Sequence, residues 1–158
     1  MIRAVTPQDI KAVVLLFQGV QELHATHVPL AFRLPTDEES TSTWLGPIIG
    51  NPDAYCVLAE KDGEAVGYLF AQEVRREESL IRPALRWLIL EHVAVAPSFQ
   101  RQGIGTALMK VLFVEAAARK IDRIELEVWS FNGQAQRFFA QHGFAEFNQR
   151  MEANVGQP

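Results

Sequence analysis

The chain has 158 residues, 48% hydrophobic and 22% charged, with a net charge of −4. That length suits one domain around one core, and the acidic balance argues against a general nucleic-acid binder, which carries a basic face. One cysteine, Cys56, excludes an internal disulfide. There is neither an apolar run of the roughly 20 residues a span needs nor a basic-then-apolar leader, so a cytoplasmic protein with no membrane partner is expected.

In chain order, Ile2 to Val5 is predicted as a short strand. A helix follows, with Thr6 as N-cap and Pro7 in its first position. Ile10, Val13, Val14, Phe17 and Val20 recur at helical spacing, and the helix is expected to end near His24. Residues 25–35 form a loop rich in apolar and aromatic groups for a connector. Thr36-Asp-Glu-Glu39 reads as a capping box that opens a second helix toward Gly46 or Ile49. Residues 54–60 alternate as a strand, with Cys56 in the apolar run as a small buried hydrophobe rather than a nucleophile. Lys61-Asp-Gly-Glu64 is a tight turn, because Asp-Gly supplies the positive φ it needs. The return strand starts at residue 65, and a polar connection over 76–84 leads into a long strand over 85–95. A helix from Gly103 or Ile104 to Arg119, a strand from Ile121 to Trp129 and a helix from Asn132 to His142, stopped by Gly143, complete the core pattern. Phe144 to Met151 reads as a last strand.

The informative segment is Val93-Ala-Val-Ala-Pro-Ser-Phe-Gln-Arg-Gln-Gly-Ile-Gly-Thr-Ala-Leu108. A strand ends, a short loop follows, and a helix opens at two glycines. Gly103 and Gly105 let a ligand approach the backbone, and the first helical N–H groups point at the same place with the positive end of the helix dipole. This is an anion site suited to phosphate, to which Arg101 or Gln102 can add side-chain contacts. A tight turn without a ligand is the bland alternative. A dinucleotide fingerprint lacks its third glycine, since Leu108 stands there, and a P-loop lacks its Gly-Lys-Ser/Thr.

Gln100-Arg-Gln-Gly-Ile-Gly105 resembles the Gln/Arg-x-x-Gly-x-Gly/Ala signature of the GNAT superfamily. Ile124-Glu-Leu-Glu-Val128, Asn132 and Phe138-Phe-Ala-Gln-His-Gly-Phe144 are similar to its later strand, its asparagine and its closing motif. The joint match covers residues 85–145. The resemblance implies a single α/β domain over residues 1–158: a mixed, mostly antiparallel central sheet flanked by helices, with splayed central strands. It implies acetyl-CoA as cosubstrate and no metal. The pyrophosphate would sit on the backbone of Gln100, Arg101, Gln102, Gly103, Ile104, Gly105 and Thr106. The pantetheine arm would run beside Val93, Ala94 and Val95, pairing with backbone groups of Val93 and Val95 as an added strand does. Asn132 would bond the cofactor, although it also reads as a helix N-cap.

Acetyl transfer needs a neutral amine, a donor for the oxyanion, here the backbone at Val93, and a leaving thiolate. Glu91 is the first candidate base. Strand alternation places Glu91, Val93 and Val95 on one face, with His92 and Ala94 on the other. His92 has the better intrinsic pKa but faces away, and reads more readily as a packed side chain. Glu127 is third, and Glu125 shares its face. The departure from the family is Phe139, where relatives carry a tyrosine that serves the departing sulfur; the two tyrosines, Tyr55 and Tyr68, lie elsewhere.

The acceptor would lie at the other mouth of the slot, against the loop over 24–35 and the hairpin over 60–85. His24, His27, Phe32 and Arg33 are candidate recognition groups, and Trp87 and Trp129 line the pocket or pack in the core. The reading is an acyltransferase that moves acetyl from acetyl-CoA to a primary amine, of a small molecule or a peptide, by direct attack in a ternary complex. The alternative is a catalytically weak acyl-CoA-binding sensor or partner module, which Phe139 keeps in view. No nucleic-acid partner is implied, and monomer and homodimer both fit.

Overall fold

The computed structural model describes residues 1–35, 37–153 and 155. These fall into two compact units, Met1–Glu127 and a C-terminal unit from Val128 onward.

In the first unit the strands are β1 (Ile2–Ala4), β2 (Ala54–Lys61), β3 (Glu64–Arg76), β4 (Leu85–Val95) and β5 (Ile124–Leu126). They form one sheet in that spatial order. The first four are antiparallel neighbours and β5 joins β4 in parallel, so the sheet is mixed and mostly antiparallel, as expected. The β2–β3 hairpin turns at Asp62 and Gly63, both at positive φ. Among the described residues β5 pairs over only Leu88–Leu90, while β4 runs on to Val95. The two strands therefore part company after Leu90, which is the splay.

The helices are α1 (Ile10–His27), α2 (Glu38–Ile49) and α3 (Ile104–Ala118). Helix α1 runs one turn past the expected end at His24, and a short 3₁₀ turn over Pro7–Asp9 precedes it. Arg3 grips Asp9 with two hydrogen bonds of 2.7 and 2.8 Å and Glu60 with two more, tying β1 to the start of α1 and to β2. Asp37 caps α2 by accepting from the Ser40 N–H at 2.6 Å; the expected cap, Thr36, lies outside the described residues.

The two faces of the sheet have different cores. Tyr68, Phe70, Leu58 and Ala94 pack beneath Val13, Val14 and Phe17 of α1 and Leu45 of α2. On the other face α3 lies against β3, where a Cβ at Gly67 would sit 3.4 Å from Ile104 and Leu108 and 2.8 Å from the Ala94 carbonyl of the neighbouring β4. Leu69, Leu88, Leu108, Met109 and Leu112 are fully buried. The buried carboxylate of Glu73 is matched by guanidinium groups of Arg75 at 2.8 Å, Arg86 at 3.2 Å and Arg119 at 3.6 Å, as a buried charge requires.

The C-terminal unit holds α4 (Gly133–Gln141), whose N-cap Asn132 accepts from the Ala135 N–H at 3.0 Å. Gly143 at positive φ follows the helix. Phe139 is buried, with Phe138 and Phe144 edge-on at 5.4 and 5.8 Å. Two expectations are corrected here. The strand foreseen from Ile121 to Trp129 shrinks to Ile124–Leu126, and residues 144–151 form no strand. A short segment's own residues do not decide whether a neighbouring strand is in reach to bond it.

Candidate active site

The site grows out of β4. Antiparallel partners share a face, and the register steps from Phe70↔His92 to Ala71↔Leu90, so Glu91 is an extra residue with no partner on β3. It is a β-bulge. Alternation alone had placed Glu91 in the Val93–Val95 row; the bulge takes it out of the ladder. Val93 and Val95 stay on the α3 face opposite Leu69 and Gly67, while His92 stays on the α1 face opposite Phe70.

The bulge also sets where backbone groups point. Ala96 N–H donates to the Val66 carbonyl at 2.9 Å, so in an antiparallel ladder of period two the groups of Ala94 and His92 bond β3. Those of Val93 and Val95 then point to the opposite edge, the one β5 has left. That edge begins one residue beyond Leu90, at Glu91. The Val95 carbonyl accepts from Gln100 Nε2 at 3.1 Å.

The glycine loop follows. A 3₁₀ turn over Pro97–Phe99 carries the chain away from β4. Arg101 and Gly103 then take φ of 59° and 83°, and Gly103 is the N-cap of α3. Ala107 N–H is the first to bond back, to the Gly103 carbonyl at 2.9 Å. The N–H groups of Arg101, Gln102, Gly103, Ile104, Gly105 and Thr106 donate to no acceptor among the described residues. A Cβ placed at Gly103 meets nothing within 4 Å, and Arg101 to Gly103 are exposed. Unbonded amides at a helix N-terminus in alternating backbone conformation form an anion nest. A phosphate group fits the loop, and an extended amide-bearing arm fits the free edge of β4.

Sequence reasoning missed Lys61. From the β2–β3 hairpin its Nζ donates to Gln102 Oε1 at 2.9 Å and lies 5.5 Å from the Phe99 ring centre, while Gln102 Nε2 donates to the Ser98 carbonyl at 3.1 Å. The hairpin and the loop are far apart in sequence, and no local pattern announces the contact.

The titratable candidates divide by environment. Glu91 is exposed by area, yet partial burial of its carboxyl, followed by the nearby charge of Glu127, raises its pKa above the ordinary carboxylate range. The structure thus brings two of the three candidate bases, Glu91 and Glu127, within electrostatic reach of each other where β4 and β5 diverge. Glu125 instead pairs with Arg123 at 2.5 Å. His92 packs against Phe17 at 5.3 Å and Phe70 at 6.5 Å. Burial, with the charge of His24 second, pushes its imidazole down to about 4. The ring is packed in the core, and burial there favours its neutral form. Asn132 and Phe139 belong to the C-terminal unit, one as a helix cap and the other inside an aromatic cluster. Trp87 carries Arg76 over its ring at 6.0 Å, and Trp129 is partly exposed in the C-terminal unit.

Among the described residues, no group of three or more His, Cys, Asp or Glu side chains could hold a metal ion, and no helix is long and apolar enough to cross a membrane.

The family model described as the acetyltransferase (GNAT) family matches residues 20–144. A tetramutant of the BH1408 protein from Bacillus halodurans has a similar structure, with a TM-score of 0.88 at 21% identity, covering 98% of this chain and 99% of that one. The aminoglycoside N-acetyltransferase AAC(6')-Iy, solved in complex with CoA, gives a TM-score of 0.76 at 16% identity over 99% of this chain and 95% of its own. The aminoglycoside 6'-N-acetyltransferase AAC(6')-IG from Acinetobacter haemolyticus gives 0.73 at 18% over 100% and 99%. At these identities the likeness establishes the fold.

Proposed function

This chain belongs to the acetyltransferase (GNAT) family, and we propose that it transfers the acetyl group of acetyl-CoA to a primary amine. The observation that carries the reading is the run of unbonded amides from Arg101 to Thr106 beside a strand edge that opens at Glu91. The amides take the pyrophosphate, with Gln100, Arg101 and Gln102 around it. The free backbone groups of Val93 and Val95, with Ala94 between, take the pantetheine arm as an added strand; the Gln100 side chain then yields the Val95 carbonyl. Asn132 and Phe139 enter only through their match to the family motif. One domain over residues 1–158 belongs to the same proposal, since the family match runs across the boundary at Glu127.

In the chemistry we propose, Glu91 takes a proton from the bound ammonium, directly or through water, and Glu127 holds the positive charge until then. The amine nitrogen attacks the thioester carbonyl, the Val93 N–H receives the charge gathering on its oxygen, and the carbon–sulfur bond breaks. The nitrogen gives up its second proton as the thiolate leaves, and the sulfur takes it directly or through water, without the tyrosine that relatives place at Phe139. His92 remains a packed side chain in this scheme.

The test is a thermal melt with acetyl-CoA, followed by thiol release with a panel of primary amines. Protection of a few degrees and release with at least one amine are expected. Protection with no release would favour the acyl-CoA sensor, a reading that Phe139 supports, and no protection would remove CoA altogether.

A further inference from the structure

One side chain ties the glycine loop to the β2–β3 hairpin, and it is Lys61. Strand alternation sets its direction. Ala59 lies opposite Gly67 on the α3 face, so Lys61, two residues on, stands in the same row, at the last position before the turn at Asp62 and Gly63. It shares a groove there with Ile104 and Ala107 of the first turns of α3. Its ammonium meets two groups of the loop: it donates to Gln102 Oε1 at 2.9 Å and lies 5.5 Å from the Phe99 ring centre.

Gln102 is held from both ends of its amide. Nε2 donates to the Ser98 carbonyl at 3.1 Å while Oε1 accepts from Lys61, so the side chain braces the start of the loop against the hairpin. Among the described residues, the bond from Lys61 is the one hydrogen bond that ties residues 101–106 to a distant part of the chain. Gln102 also stands between the two left-handed residues of the nest, Arg101 and Gly103. Backbone of that kind costs affinity if it must be ordered when the ligand arrives, and a strut that orders it beforehand removes the cost. No carboxylate forms an ion pair with Lys61 among the described residues, so the ammonium is left to these loop contacts.

Resting on the acetyl-CoA reading above, we infer that Lys61 is a positioning residue for the diphosphate: acting through Gln102, it holds the amides of Arg101 to Thr106 in the arrangement that receives the ligand. It sets acetyl-CoA affinity and takes no part in the transfer step. A charge acting at long range would work whatever the Gln102 side chain, whereas a strut works only through it. That difference is what the experiment reads.

Calorimetry of acetyl-CoA against the full chain compares the wild type with Lys61→Met, Lys61→Arg, Gln102→Met and the double variant Lys61→Met/Gln102→Met. Lys61→Met keeps an apolar stem beside Phe99 and loses the donor, and affinity should fall about three- to tenfold. Lys61→Arg keeps a donor and a cation beside the ring, and should stay within about twofold of the wild type. Gln102→Met should lose about as much as Lys61→Met, and the double variant no more than the weaker single one, as for two residues that act as a unit. With an amine that releases thiol, Lys61→Met should raise KM for acetyl-CoA and leave kcat unchanged. Melting temperatures check the fold of each variant. Wild-type affinity in Lys61→Met, no rescue by Lys61→Arg, or losses that multiply in the double variant each overturn the inference while leaving the acetyl-CoA reading intact. A wild type that binds no acetyl-CoA overturns both.

Discussion

Gly103→Asp puts a carboxylate where the pyrophosphate is proposed to sit. A Cβ there meets nothing within 4 Å, so the change is sterically open, and its cost to the fold is the left-handed backbone at φ 83°. For an L-residue that is about 1–2 kcal/mol, less for Asp or Asn, or a fall in Tm of only a few degrees in a chain of this size. The cost to the ligand is larger. A unit charge about 4 Å from another is repelled by about 1 kcal/mol in fully screened water and about 4 kcal/mol at the dielectric usual near a protein surface. Acetyl-CoA affinity should therefore drop about fivefold to several hundredfold. Gly103→Asn has the same shape without the charge and serves as the control. Calorimetric titration of acetyl-CoA with both variants, at low and high salt, reads the difference, which should shrink as salt rises. Equal affinities for Asp and Asn, in proteins that melt alike, would mean that no phosphate sits on this loop.

Glu91→Gln should lower kcat/KM about 10²–10⁴-fold while leaving acetyl-CoA affinity near that of the wild type. A base must be ionised and the Glu91 carboxyl is raised, so the wild-type rate should fall as pH drops through that raised value, and the Gln variant should lose this limb; an unchanged pH–rate profile would remove Glu91 from the role. Gly67→Ala drives a Cβ to 2.8 Å from the Ala94 carbonyl of β4, where backbone must move, so a loss of about 1–3 kcal/mol is expected by thermal or urea melt, and a wild-type midpoint would contradict the close approach of β4 to β3 at this residue. Asp9→Asn tests the Arg3 grip, which is the largest cause of an Asp9 pKa held below the ordinary range. A depressed carboxylate contributes stability above its unfolded value, about 4, and loses it as pH falls toward the folded one. The variant should thus be about 1 kcal/mol less stable at pH 7, the size of a lost helix-start bond, and the gap should begin to narrow below pH 4 and close only as pH nears the depressed folded value; a gap independent of pH would refute the assignment.

The signals legible in the sequence are local. The spacing of Val13, Val14 and Phe17 gives α1 its buried stripe, Asp62-Gly63 gives the hairpin turn, and Gly103 gives α3 its left-handed start, because each depends on neighbours within a few residues. Most of the order of elements followed from those same short-range rules, while the family resemblance came from the motif residues between 100 and 144. Tertiary structure decided what depends on a partner strand or a distant loop. The bulge at Glu91 exists only because Ala71 pairs with Leu90 and Phe70 with His92, and no pattern within β4 reveals a residue its neighbour skips. Lys61 reaches Gln102, and Phe32 covers His24, through contacts between separate elements. The strand foreseen over 144–151 did not form: a strand is made by the hydrogen bonds of a neighbour, and that is a property of the folded chain rather than of the segment.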